Sequence, residues 1–294
     1  MLFAIVSGLT AGAEEAVATL SKDREVPFIG PSALLLQRGL PLNRYVFYLL
    51  PGLKEQAMTL VRFAAKKGDP KKSRVAIICP DTEFSRQIAK SIEDQGKKLG
   101  WETLATIYYP RERFNAAQYV TELKQQGIDT VFHLGSGADT GALFKDAEAA
   151  GWSPAVYLLG TLVGRNITKL VPLKMKDQVF LAFPTIPADI STTGAEEYNS
   201  LLQKNKLAST HAAAQASAIA AARILVHALE LCGKDLSRER LVTTLEGLYE
   251  FDTGLMPRIT FGPNRRIGVL GAYIVTIDPE KKLFPASVEW ISVD

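Results

Sequence analysis

The sequence predicts an α/β protein with parallel sheets flanked by helices. Three observations carry that prediction. Short apolar runs rich in β-branched and aromatic residues alternate with stretches of helical periodicity along most of the chain. Small-residue turns follow several of those runs, and a strand pair closes the sequence. Alternation of this kind builds βαβ units, whose strands are buried on both faces and whose crossovers are right-handed.

The elements follow in order. LFAIVSGLTAGAEEA (residues 2–16) reads as a buried strand at 2–8, a tight Gly/Thr turn and the first turn of a helix. Further strands are predicted at 26–30, 44–50, 74–80, 102–109, 130–135, 155–160 and 178–184. Helices are predicted at 12–22, 54–67, 84–99, 115–126, 139–150, 191–205, 209–232 and 237–248, each with apolar residues three and four apart. In 84–99 the residues Ile88, Ile92 and Leu99 share one stripe, and Gly100 marks the stop. The alanines of 212–222 let their helix pack close to a sheet. At the end, AYIVTID-PEKK-LFPASVEWISV reads as an antiparallel hairpin with an Asp-Pro turn.

A length of 294 residues suggests about two domains. With 47% hydrophobic and 22% charged residues the chain can bury a large core without staples. The formal charge of +3 is small, and KKGDPKKSR (66–74) is the only dense basic cluster. It lacks interleaved aromatics, so no nucleic-acid partner is expected. Cys79 and Cys232 make no disulfide framework and read as buried free thiols. No run approaches 18 uninterrupted apolar residues, and no charged n-region with an apolar h-region stands at the start.

Four turns share one chemistry: SGLTAG (7–12), GPSAL (30–34), GSGAD (135–139) and LGTLVG (159–164). Each sits at the carboxyl end of a predicted strand, where ligands bind in open parallel sheets. Small residues let backbone N–H groups approach a ligand, and a following helix favours an anion. Thr10, Ser32 and Ser136 are also ordinary capping residues. GSGADTG lacks the spacing of a dinucleotide fingerprint, so no cofactor is predicted. Ser136 follows a strand, but G-x-S-x-G is absent and no His/Asp pair is placed to serve it. His133 reads as a core histidine, while His211 and His227 are too far apart for one metal face. Phe84 falls at the mouth of the turn after strand 74–79, whereas Tyr45 and Phe47 read as core. With no catalytic constellation, the residues point to binding.

Five segments in order carry a family likeness: FAIVSGLTAGAEEA with VPFIGPSAL; RVAIICPDTEFSRQIAKSIEDQGKKLGWE; FNAAQYVTELKQQGIDTVFHLGSGADTGALFKDAEAAGW; ARILVHALELCG; and DTGLMPRITFGPNRR. The chain resembles the solute-binding proteins of ABC transporters for branched-chain amino acids and related ligands, the type I periplasmic binding fold. The resemblance implies two Rossmann-like lobes joined by a multi-strand hinge that close on a ligand. It assigns 1–52 and 185–262 to lobe 1, and 53–184 and 263–294 to lobe 2. Family members begin with two strand–helix units ahead of FAIVSG. The expectation is therefore an incomplete lobe 1, with an unpaired edge at 2–8, completed by a missing segment or a partner chain.

Ligand residues carry over by position. The family's turn matching Gly8–Ala11 holds the ligand carboxylate, which assigns that role to Gly8, Leu9 and Thr10. Ser32 and Ala33 lie in the next turn, whose third position usually offers a hydroxyl but is Leu34 here. Phe84 stands where an aromatic stacks on the ligand, and Ser136 and Gly137 stand where a tyrosine is common. Amino-acid binders place a carboxylate in the turn matching Thr161 and Leu162, to pair with the ligand ammonium. Leu162 occupies that place, and a buried ammonium without counter-charge costs several kcal/mol. These departures favour an aliphatic or aromatic carboxylate over a zwitterion. The implied protein is non-enzymatic, lies in the periplasm or cell envelope, uses no cofactor, and hands its ligand to an ABC permease. A ligand sensor of the same fold, or a hydrolase using Ser136, are the alternatives.

Overall fold

The computed structural model describes residues 2–36, 42–209, 211–284 and 288–293. Along the chain run β1 (Ile5–Leu9), α1 (Glu14–Asp23), β2 (Phe28–Ser32), β3 (Val46–Phe47), α2 (Leu53–Lys67), β4 (Arg74–Pro80) and α3 (Glu83–Lys98). Then come β5 (Thr103–Tyr109), α4 (Ala116–Gln125), β6 (Thr130–His133), α5 (Gly137–Ala149), β7 (Ala155–Leu159), α6 (Gly160–Val163) and β8 (Val179–Phe183). The last elements are α7 (Thr192–Lys204), α8 (Ala212–Cys232), α9 (Arg238–Glu246), β9 (Gly271–Thr276) and β10 (Val288–Ser292). They form an α/β fold of parallel-dominated sheets flanked by helices. Two compact units result: unit 1 is Met1–Gly52 with Pro184–Leu270, and unit 2 is Leu53–Phe183 with Gly271–Asp294.

Unit 1 holds a 3-stranded parallel sheet in the order β1-β2-β3. β1 is an edge strand, paired with β2 alone among the described residues. Helix α8 lies on β1 and β2. Its Ala220, Ala221, Ile224 and Ala228 pack with Ile29, Phe47 and Leu49 of the sheet side. The alanines permit that approach: a Cβ built on Gly30 would sit 2.6 Å from the Ala221 methyl. By length and composition α8 is the one described helix able to cross a membrane; in this fold its apolar face covers a sheet.

Unit 2 holds a 7-stranded sheet in the order β10-β9-β8-β7-β6-β4-β5. It is parallel from β8 to β5, with β9 and β10 antiparallel. Ile77, Phe132, Tyr157 and Phe180 stand side by side in register across β4, β6, β7 and β8. The rings of Phe132 and Tyr157 stack at 4.9 Å and those of Tyr157 and Phe180 at 5.2 Å, with Phe63 of α2 against the last pair. Cross-strand aromatic pairs of this kind stabilise a sheet by roughly 0.2–1 kcal/mol each.

Two sequence expectations change in detail. The strand predicted at 44–50 shortens to Val46–Phe47, because Tyr48 turns from β2 and exchanges backbone hydrogen bonds with Arg266 and Gly268 instead. Tyr45 is only half-buried, whereas Phe47 is fully buried. The closing hairpin forms between β9 and β10, and its Asp278 carboxylate accepts from the Glu280 and Lys281 N–H groups. Residues 285–287 of that hairpin, and residue 210 in the predicted helix 209–232, lie outside the described residues. Cys79 and Cys232 are free and buried. Burial pushes the Cys79 thiol up to about 12.

Candidate functional site

In unit 2, β7, β6 and β4 are neighbours and parallel, so the turns after them line one edge of the sheet. The β4 turn ends at Thr82, whose hydroxyl accepts from Ser85 N–H at 3.1 Å and caps α3. Phe84 sits half-buried in the first turn of α3. The β6 turn ends at Ser136, the cap of α5. Its hydroxyl accepts from Asp139 N–H at 3.2 Å, and its own N–H and O–H donate to Asp139 Oδ2 at 3.2 and 2.9 Å. Gly137 packs directly on the backbone carbonyl of Val163, which joins the β6 and β7 turns. Thr161 is exposed and Leu162 half-buried in that second turn. The structure thus places Phe84, Ser136, Gly137, Thr161 and Leu162 along one sheet edge, on three adjacent turns.

A buried polar network supports the middle turn. Tyr109, the last residue of β5, donates its O–H to Asp139 Oδ2 at 3.2 Å. Thr140 donates its hydroxyl to the Ser136 carbonyl at 2.8 Å, so its remaining contact, 2.9 Å to His133 Nδ1, must be accepted from an Nδ1–H. His133 is therefore the Nδ1–H tautomer, and its Nε2 is a buried acceptor without a hydrogen-bond partner. Burial lowers the His133 pKa to about 4, and the nearby Asp139 carboxylate opposes this weakly. Burial first, then Asp139, pushes the Tyr109 phenol well above its ordinary value. Gly135 is required between them: a Cβ there would lie 2.5 Å from Tyr109 Oη and 2.6 Å from His133 Cε1. The Ser136 hydroxyl faces a carboxylate, and no imidazole hydrogen-bonds to it among the described residues. Those residues also contain no group of three or more His, Cys, Asp or Glu able to hold a metal ion.

Unit 1 has a smaller edge of the same design. Gly8 and Leu9 end β1, Ser32 ends β2, and all three are exposed, with Ala33 half-buried. Thr10 differs. It is 6% exposed, and its N–H and hydroxyl both donate to the Ser32 carbonyl, at 3.0 and 3.2 Å. Glu14, which the motif reading passed over, reaches back across both turns. Its Oε2 accepts from Gly12 N–H at 2.8 Å and its Oε1 from Leu34 N–H at 3.3 Å. Asp139 and Tyr109 were passed over too. The spacing Ser136-x-x-Asp139 is a capping-box signal that would have found the first. Nothing local marks the second.

The sequence that builds these sheets matches a known family. The profile of the periplasmic binding proteins matches residues 1–282. The chain belongs to the periplasmic binding protein family. A curated relative, the Leu/Ile/Val-binding protein homolog 8 of Brucella abortus, is 27% identical over 92 residues, which span 31% of this chain and 23% of that protein. The match thus covers about a quarter of the relative's length. Among solved structures, a branched chain amino acid ABC transporter protein from Thermus thermophilus with bound valine superposes with a TM-score of 0.74 at 17% identity. That match covers 98% of this chain and 78% of the other. A fatty acid ABC transporter substrate-binding protein from Thermomonospora curvata superposes with a TM-score of 0.68 at 15% identity, over 99% of this chain and 74% of the other. At these identities the solved structures establish the fold of this family member.

Proposed function

We propose that this periplasmic binding protein is a non-enzymatic receptor that captures a small amino-acid-like or carboxylate ligand outside the cytoplasm for an ABC-type importer. The family match over residues 1–282 carries this reading. The strand-end turns of unit 2 support it: they expose Ser136 and Thr161 along the same sheet edge as the half-buried, apolar Phe84 and Leu162, a lining suited to a ligand with one polar end and an apolar body. The valine bound to the Thermus thermophilus protein and the fatty acid named for the Thermomonospora curvata protein are ligands of that description.

A thermal-shift screen of leucine, isoleucine, valine, their amides and the corresponding short carboxylates tests the proposal. A true ligand at about 100 times its dissociation constant stabilises the chain by about 2.7 kcal/mol. Stabilisation by any of these, lost on replacing Phe84 with Ala, supports the reading. No shift from any amino acid or carboxylate in the panel overturns it.

A further inference from the structure

The described sheets end in the edge strands β1, β3, β5 and β10, and natural edges carry some device against further pairing. β1 is interrupted at Ser7, whose φ is 56°. β3 has 2 residues, and beyond it Tyr48 bonds to Arg266 and Gly268. β10 carries Glu289 in an ion pair with Lys66, and Arg62 donates to the Ser292 and Val293 carbonyls. β5 has no such device. Its sequence TLATIYY holds no charged residue, proline or glycine, and it pairs with β4 without a break from Thr103 to Tyr109. Among the described residues β4 is its one strand neighbour. Leu104, Ala105, Thr106, Ile107 and Tyr108 are only half-buried. Asp81 N–H donates to the Tyr109 carbonyl at 2.7 Å, so the odd-numbered residues turn their backbone groups to β4. By alternation, the N–H and C=O groups of Leu104, Thr106 and Tyr108 face the open edge. Their side chains are already held: the Thr106 hydroxyl donates to Glu93 Oε1 at 2.5 Å, and the Arg86 guanidinium lies 4.2 Å from the Tyr108 ring centre. An edge ordered in advance loses little entropy on pairing.

We propose that β5 pairs with β5 of a second copy of this chain, antiparallel about a two-fold axis at Thr106. The edge itself selects that occupant. The axis sets outward-facing residues against each other: Thr106 meets the partner's Thr106, and Leu104 meets the partner's Tyr108. Each such pair exchanges two backbone hydrogen bonds. The flanking charges agree. Glu102 precedes the strand and Arg111 follows it, both exposed. Antiparallel pairing brings Glu102 near the partner's Arg111 at both ends, whereas parallel pairing sets like charges together. The contact uses up the open edge of both copies, so the assembly closes at a dimer. It does not depend on the ligand proposed above.

The test is sedimentation equilibrium of the full chain over a concentration series reaching about 100 μM, the range in which a small interface associates. Amide hydrogen exchange, read residue by residue at the two ends of the series, locates the contact. Wild type should be a dimer at the upper end. There the Leu104, Thr106 and Tyr108 amides should exchange at least about tenfold more slowly than in the dilute monomer, while those of Ala105 and Ile107, already bonded to β4, stay unchanged. Thr106→Pro deletes an outward N–H without touching the β4 ladder, and should weaken the dimer at least about tenfold. Glu102→Arg leaves the strand intact and guards against a loss of fold in Thr106→Pro. It sets cations together at both ends and should weaken the dimer about fivefold, and adding Arg111→Glu should restore it. A chain that stays monomeric throughout, or a dimer without the alternating protection of β5, overturns the inference. So does a dimer unmoved by both Thr106→Pro and Glu102→Arg.

Discussion

Replacing Gly137 with Ala sets two effects of opposite sign against each other. Gly137 is the first residue of α5 and its φ is not among the positive ones, so alanine fits the backbone. Helix propensity alone would then favour alanine by up to ~1 kcal/mol. The added methyl, however, would lie inside 3.0 Å of the Val163 carbonyl oxygen and 3.3 Å from its carbon. The obstacle is backbone, not the end of a flexible side chain. It cannot retreat freely, because Val163 is buried and Gly160, at the start of α6, already faces the ring of Phe183. Overpacking of this kind costs ~1–3 kcal/mol, so a net loss of about 1–2 kcal/mol follows. The assay is urea unfolding followed by tryptophan fluorescence. Trp101, Trp152 and Trp290 all belong to unit 2, so the signal reports the unit that carries the mutation. With a urea slope of about 2 kcal/mol/M, the midpoint falls by about 0.5–1 M. Gly68→Ala is the control, since its methyl would meet Ser73 and Ala64 at ordinary distances of 3.4 and 3.6 Å. It should stay within ~0.5 kcal/mol of wild type. A Gly137→Ala chain as stable as Gly68→Ala would refute the reasoning and dissolve the link between the β6 and β7 turns.

Acid stability tests the buried imidazole. The pKa of His133 is lowered from 6.5 to about 4 in the folded chain. Between those values the unfolded chain binds a proton that the folded chain does not, so stability falls as pH drops through that window. The loss is about 3 kcal/mol by the bottom of the window, and His133→Leu should flatten the curve there; a variant with an unchanged slope argues against it. Arg266 and Glu246 form an ion pair at 2.5 Å with side chains only 4% and 14% exposed, under the ring of Phe47. Arg266→Met should cost ~3–5 kcal/mol by stranding the carboxylate, and adding Glu246→Leu should restore most of it. Circular dichroism reads both, and equal losses in the single and double variants would remove the pair from the account. Thr82→Ala removes the α3 cap and should lower stability by ~1 kcal/mol, visible in the same fluorescence titration; no change there would show that another group caps the helix.

The alternation of runs such as RVAIICP and TVFHLG with amphipathic stretches placed the helices and parallel strands, because their spacing reflects burial that any fold of this class demands. Small-residue turns showed which end of the strands would be open, and the structure collects Phe84, Ser136, Gly137, Thr161 and Leu162 there. Strand order was not legible. Tyr109 comes thirty residues before Asp139 and reaches it only because β5 folds outside β4. Tyr48 left its predicted strand for a partner more than two hundred residues away. The orientation of Glu14 was equally hidden, since its two amides come from turns that lie far apart in the chain until β1 and β2 pair. The sequence by itself determined the periodicities, the turn chemistry and the family, all of which are local or summed over the whole chain. Only the tertiary structure decided which polar groups are already partnered, because hydrogen bonds join atoms that are near in space and not in order.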